Sequence, residues 1–305
     1  MTWTVLEQCV IPHNAEQGPE DGLLIMPEKG LYVVADSHSS HVKKQIQGLT
    51  PGQFVLKVFL ETCVQIPVPV SREDIFRWIE NLSESVRVAL DRQNRFNEVF
   101  NSADQTFVRR PGLVFVAFLP ALRVIVRVGD CQYFLDGAGH NPGLEVDRIK
   151  ANVRLMEMWR HLNGIDPSVP SEARDALIRN DPTGALMRSF NIHWQQPHRN
   201  QKGNSLGYPV VNGTPIPREL IEIIDVPDHT KRVTLTSDGM PPMYVGETLA
   251  ESITAFNRAL AQDPLCIGQG GLWGVRGAKM GSDGGLGWYD DLTAVFLQKM
   301  GVMEA

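Results

Sequence analysis

An α+β protein built on antiparallel sheet is predicted, on three observations. Apolar segments of strand length end in acids: residues 31–35 (LYVVA) run into Asp36, 122–128 (LRVIVRV) into Gly129-Asp130, and 232–236 (RVTLT) into Ser237-Asp238-Gly239, while Asp290-Asp291 opens 292–297 (LTAVFL). Residues 113–119 and 122–128, joined at Pro120 and followed by 132–135, form a β-meander, the pattern of antiparallel rather than βαβ connections. Helical spacing of apolar residues accompanies these strands at 42–64 and from Ser71 onward.

Taken in order, residues 3–10 read as a first strand and 12–19 as a polar loop with His13, Asn14 and Glu16. Glu20-Asp21 precede a strand at 23–26, and a PEKG turn at 27–30 leads into the strand ending at Asp36. Antiparallel pairing in this hairpin brings Glu20, Asp21 and Asp36 to one edge. Residues 42–64 are helical through Val42, Ile46, Leu49, Val55, Phe59 and Leu60, with Pro51-Gly52 as an interruption. The next helix starts at Ser71, has Glu73 and Asp74 in its first turn, and buries Ile75, Trp78, Ile79, Leu82, Val86 and Leu90.

Residues 146–162 and 171–179 are expected to be helical, and 180–204 is irregular. Extended segments are expected at 208–211 and 214–217 around the Asn212-Gly213 turn, then strands at 220–226 and 232–236. A helix at 249–261 and a glycine-rich loop at 267–287 lead to the last strand. No repeat or linker composition divides the chain, so residues 1–305 are read as a single domain.

The composition, 43% hydrophobic and 21% charged, is that of a globular protein. A formal charge of -6 disfavours nucleic acid as a partner, because such binding draws on many Lys and Arg contacts to phosphate. Four scattered cysteines suggest neither a zinc ribbon nor a disulfide framework and fit a reducing compartment. With neither a signal peptide at the start nor a membrane-spanning segment, a cytoplasmic location without membrane contact is expected.

Carboxylates without cysteine suit Mg²⁺ or Mn²⁺. Crowding Glu20, Asp21, Asp36, Asp130, Asp238 and Asp291 at one edge is costly through like-charge repulsion unless cations neutralise it. Two such ions about 4 Å apart can hold a water between them, lower its pKa and align it for in-line attack on phosphorus. His38, two residues beyond Asp36, is placed to protonate the departing oxygen.

Glu20-Asp21, Asp36-Ser37-His38, Gly129-Asp130, Ser237-Asp238-Gly239 and Asp290-Asp291-Leu292-Thr293 resemble, in order and near spacing, the ED, DGH, GD, SDG and DN-x-T motifs of PP2C-type metal-dependent protein phosphatases. The resemblance spans residues 20–297 and implies a four-layer αββα sandwich, two antiparallel sheets flanked by helices. It also implies a phosphorylated protein as substrate and two Mn²⁺ or Mg²⁺ ions, with a third in a weaker site. By that resemblance Asp36 bridges the two ions and the Ser37 carbonyl binds one of them. Asp238 and Asp291 complete one ion, Glu20 contributes to the other, and Asp21 orients coordinated water. Asp130 with Asp238 matches the third site, and His38 matches the general acid.

The chain departs from the family pattern at Ser37, Ser39 and Ser40, where DG(H/M)GG is usual, and has Glu16-Gln17-Gly18-Pro19 where a phosphate-binding Arg is expected. Arg109, Arg110, Lys43, Lys44 and Arg276 are candidate replacements. Cys131, with no paired base, reads as a small strand residue, and His41 as a surface or hydrogen-bonded histidine. Gly268–Gly274 reads as a loop over the site bearing Trp273 and Arg276, not as a dinucleotide fingerprint, and Asp283 as a turn residue. Two alternatives to a phosphoserine/phosphothreonine phosphatase stand beside it: a catalytically silent binding module, and a hydrolase of another phosphoester such as a nucleotide.

Overall fold

The computed structural model describes residues 2–12, 18–38, 45–93, 110–140, 148–150, 195–239, 244–262 and 291–300, together with 152, 153, 156, 159, 160, 162–166, 172, 189 and 190. Strands β1 (Trp3–Ile11), β2 (Asp21–Met26) and β3 (Leu31–His38) are followed by helices α1 (Pro51–Gln65) and α2 (Arg72–Arg92). Next come β4 (Gly112–Leu119), β5 (Val124–Val128), β6 (Gln132–Leu135) and β7 (Ala138–His140). Strands β8 (Glu222–Asp225) and β9 (Arg232–Thr236), helix α3 (Leu249–Gln262) and β10 (Leu292–Lys299) complete the described elements.

The strands form two five-stranded sheets, ordered β1-β10-β9-β6-β7 and β2-β3-β4-β5-β8, and every pairing in them is antiparallel. Alternation of side chains across β3 and β4 explains the layers. Leu31, Val33, Ala35, Leu113, Phe115 and Ala117 meet α1 and α2, with Phe115 between Phe59 and Trp78. Tyr32, Val34, Val114, Val116 and Phe118 turn the other way and pack on Trp3, Tyr133, Val233, Leu235, Val295 and Leu297 of the second sheet. Both faces of β3 and β4 are therefore buried, which is why their sequences are continuous apolar runs. On the far side Phe256 and Ile253 of α3 cover Leu292, Cys9 and Ile11. A register shift between Val5 and Glu7 turns the later residues of β1 to that outer face. The layers are helix, sheet, sheet, helix.

Several boundaries differ from the sequence reading. Strand β3 does not stop at Asp36, because Ser37 and His38 continue the ladder opposite Leu113 and Gly112. Pro51-Gly52 starts α1 rather than interrupting a longer helix: Thr50 and Gln53 form a capping box, and proline suits the first helical turn. Residues 208–211 make only isolated bridges, Arg199 to Tyr208 and Leu113 to Val211, and the strand expected over 220–226 is confined to β8 by a 3₁₀ turn at Arg218–Leu220. Strand β7 was not anticipated. The α2 core face contains all six apolar residues of the reading and adds the buried Ser83. Described positions between 148 and 160 are helical. The loop at 13–17, Ser39 to Lys44, Arg109, most of 171–194, the 267–287 loop with Trp273, Arg276 and Asp283, Cys266 and Asp290 lie outside the described residues. Among the described residues no helix is long and apolar enough to cross a membrane.

Candidate active site

The β2–β3 hairpin sets Asp21 directly opposite Asp36. In the second sheet the ends of β9 and β10 are joined just before their acids. Ser237 donates its N–H to the Thr293 carbonyl at 2.9 Å, and its Oγ accepts the Thr293 N–H at 2.9 Å. Gly239 lies so close to the start of β10 that a Cβ there would stand 2.0 Å from the Asp291 carbonyl oxygen, so glycine is required for Asp238 to sit beside Asp291. Gly129 also needs its freedom, with φ +94° and Val114 against its Cα, where the chain crosses from β5 in one sheet to β6 in the other.

The two halves are tied together at Glu20. Its N–H donates to Asp291 Oδ2 at 2.5 Å, across 271 residues of sequence. Its carbonyl accepts both the Ser37 N–H at 3.1 Å and the Ser37 hydroxyl at 2.5 Å. Its carboxylate accepts the Thr50 hydroxyl at 2.5 Å and lies over the N-terminus of α1, where a Cβ on Gly52 would come within 2.7 Å of Glu20 Oε2. A helix N-terminus favours such an anion.

The acids act on one another. Burial pushes the Asp21 carboxyl well above the ordinary carboxylate range; Asp291 and Asp238 push it further, and the Ser237 and Thr293 hydroxyls offset part of this. Asp21 Oδ2 is buried without a hydrogen-bond partner. Asp130 is raised by burial and by Asp238, against the opposing pull of Lys150 and a hydrogen bond with Tyr208. Burial first, then Asp36, Asp130, Asp21 and Asp238, drives the Cys131 thiol far up. Cys131 is thus an inert thiol surrounded by carboxylates. His38 packs at the same end of β3, its ring against Gly112 and its Nε2 shielded from solvent.

No family model and no curated protein matches the sequence. Solved structures do. The crystal structure of the Mycobacterium tuberculosis serine/threonine phosphatase PstP/Ppp superposes with a TM-score of 0.50 at 12% identity, covering 99% of this chain and 100% of that one. The fold is that of a PP2C-type phosphatase. Stp1 from Staphylococcus aureus follows at a TM-score of 0.46, 12% identity and coverage of 98% and 96%. The catalytic domain of PstP in complex with two manganese ions gives 0.44, 14%, 97% and 96%.

Within this PP2C-type fold Asp238 acts electrostatically on both Asp21 and Asp130, Asp291 acts on Asp21, Asp36 lies opposite Asp21, and Asp21, Asp36, Asp130 and Asp238 all act on Cys131, although these acids come from both sheets. Glu20 joins them through its backbone while its carboxylate turns to α1. Among the described residues no three His, Cys, Asp or Glu side chains are arranged to hold a metal ion as they stand. The chemistry of the donor set nevertheless fits a hard divalent cation: all its donors are oxygen, and Asp21 buries an oxygen with no hydrogen bond and is raised by neighbouring acids.

Ser237 and Thr293, already within the quoted motifs, turn out to position these acids. Sequence reasoning missed Thr50, Gly52, Lys150, Arg199 and Tyr208, of which Thr50 had a readable signal, the Thr-Pro-Gly-Gln capping box. Of the candidate phosphate-binding cations, Arg110 is described. It is 1% exposed, and burial lowers its pKa to about 10, with Asp91 opposing the shift. Arg199 donates to the Arg110 carbonyl at 3.3 Å. A cavity of about 580 Å³ between α2 and residues 213–221 includes none of the candidate site residues in its lining.

Proposed function

We propose that this chain is a Mn²⁺- or Mg²⁺-dependent phosphatase acting on phosphoserine or phosphothreonine in protein substrates. The observation that carries the reading is the convergence of acids from both sheets on one end of a PP2C-type fold. Asp36, Asp238 and Asp291, with Glu20 and the Ser37 carbonyl, would hold two divalent ions, which supply Lewis-acid activation of water and neutralise charge at phosphorus. Asp21 holds a proton-accepting carboxyl in a buried, acid-rich setting and orients the attacking water. His38 delivers the proton to the departing serine or threonine oxygen. Asp291 and Ser37 fix the Glu20 backbone so that the ends of β2, β3 and β10 keep one geometry.

Purified protein with Mn²⁺ hydrolyses an aryl phosphate, and Asp36→Asn or Asp238→Asn abolishes the activity. Equal rates in the variants, or in excess chelator, contradict the assignment. One observation favours a second reading, a silent phosphoprotein-binding module: the Glu20 carboxylate is already engaged by Thr50, and Asp291 already accepts the Glu20 N–H. Calorimetry with Mn²⁺ separates the two, since the silent module takes up no ion.

A further inference from the structure

We propose that Lys150 is the built-in counter-cation of the Asp130 corner, so that Asp130 holds the chain's own ammonium and is not a ligand of a divalent ion. The inference rests on the metal-site reading of the remaining acids. Lys150 Nζ lies 3.8 Å from Asp130 Oδ2, and the two side chains are only 14% and 11% exposed. The same ammonium sits 5.5 Å from the centre of the Tyr208 ring, and the Tyr208 hydroxyl bonds to the Asp130 side chain. Arg199, half-buried, is close enough for Asp130 and Tyr208 to act on its guanidinium. Asp130 and Asp238 bring two negative charges to this corner; Lys150 and Arg199 bring two positive ones.

A buried carboxylate needs compensation, and here the chain supplies it. A divalent ion on Asp130 would have to stand within a few ångströms of an ammonium in a low-dielectric setting, where like charges repel strongly. The ammonium cannot step aside without giving up its place over the Tyr208 ring. The third, weaker ion that the motif resemblance assigns to Asp130 with Asp238 is thereby excluded. Lys150 holds Asp130 within reach of Asp238 while leaving Asp238 to the ions shared with Asp36 and Asp291.

Calorimetric titration of the full chain with Mn²⁺ tests this, with folding of each variant checked by circular dichroism. Wild type and Asp130→Asn bind the same number of ions. Lys150→Gln binds one more, the Lys150→Gln/Asp130→Asn double variant loses that extra ion, and Lys150→Arg behaves as wild type. An Asp130→Asn protein that binds fewer ions than wild type overturns the proposal, as does a Lys150→Gln protein that gains none. If Lys150→Gln does not fold, the comparison of wild type with Asp130→Asn decides alone. A wild type that binds no ion defeats the phosphatase reading, yet an Asp130-dependent ion appearing in Lys150→Gln still upholds the role of Lys150.

Discussion

Ser37 stands where the motif pattern has glycine, and its hydroxyl has a use: together with its own N–H it saturates the Glu20 carbonyl. That places the departure in the fabric of the site. Ser37→Ala removes one buried hydrogen bond and is expected to cost about 1 kcal/mol, read as a lower denaturation midpoint. Gly239 is the stricter residue. Its Cα faces the Asp291 backbone, which cannot yield as a side chain can, so Gly239→Ala pushes the ends of β9 and β10 apart. We expect a loss of about 2–3 kcal/mol in thermal or chemical unfolding. Phosphatase activity should fall further than stability, because Asp238 moves away from Asp291.

At the scale of elements, the β2–β3 hairpin concentrates the electrostatic cost. Asp21 has a folded-state pKa above its unfolded value of about 3.9, so the folded state holds this proton more tightly. In the metal-free protein the group therefore favours folding below about pH 4 and disfavours it increasingly as pH rises from there through the raised value. Asp21→Asn should flatten this fall. Urea midpoints measured in chelator between pH 4 and 8 check it: an unchanged pH slope in the variant contradicts the assigned charge state. Much of this hairpin was legible. The apolar run of β3, the PEKG turn and the acids at both ends predicted the pairing, and the register places Asp21 opposite Asp36. The start of α1 was misread because Pro51-Gly52 looked like an interruption, whereas the capping hydroxyl of Thr50 and the amide of Gln53 make it a beginning. The extension of β3 through Ser37 and His38 was hidden because polar residues entered a ladder whose partner, β4, lies far along the chain.

For the whole molecule, the sandwich depends on β3 and β4 being apolar on both faces, so that one layer serves two cores. Phe115, fully buried against Phe59 and Trp78, is central to the helix-side core, and Phe115→Ala should cost about 3–5 kcal/mol. The ordered acid motifs pointed to one end of this sandwich, and the contacts among Glu20, Asp21, Asp238 and Asp291 lie there. The groups that neutralise and orient the acids were illegible, because Lys150, Arg199 and Tyr208 come from segments with no motif and meet Asp130 only through the tertiary fold. The central claim is that carboxylates from both sheets hold cations together. Anomalous diffraction from a manganese-soaked crystal measures this directly. The account predicts strong peaks among Asp36, Asp238 and Asp291 and none on Asp130; the absence of any peak among those three acids contradicts it.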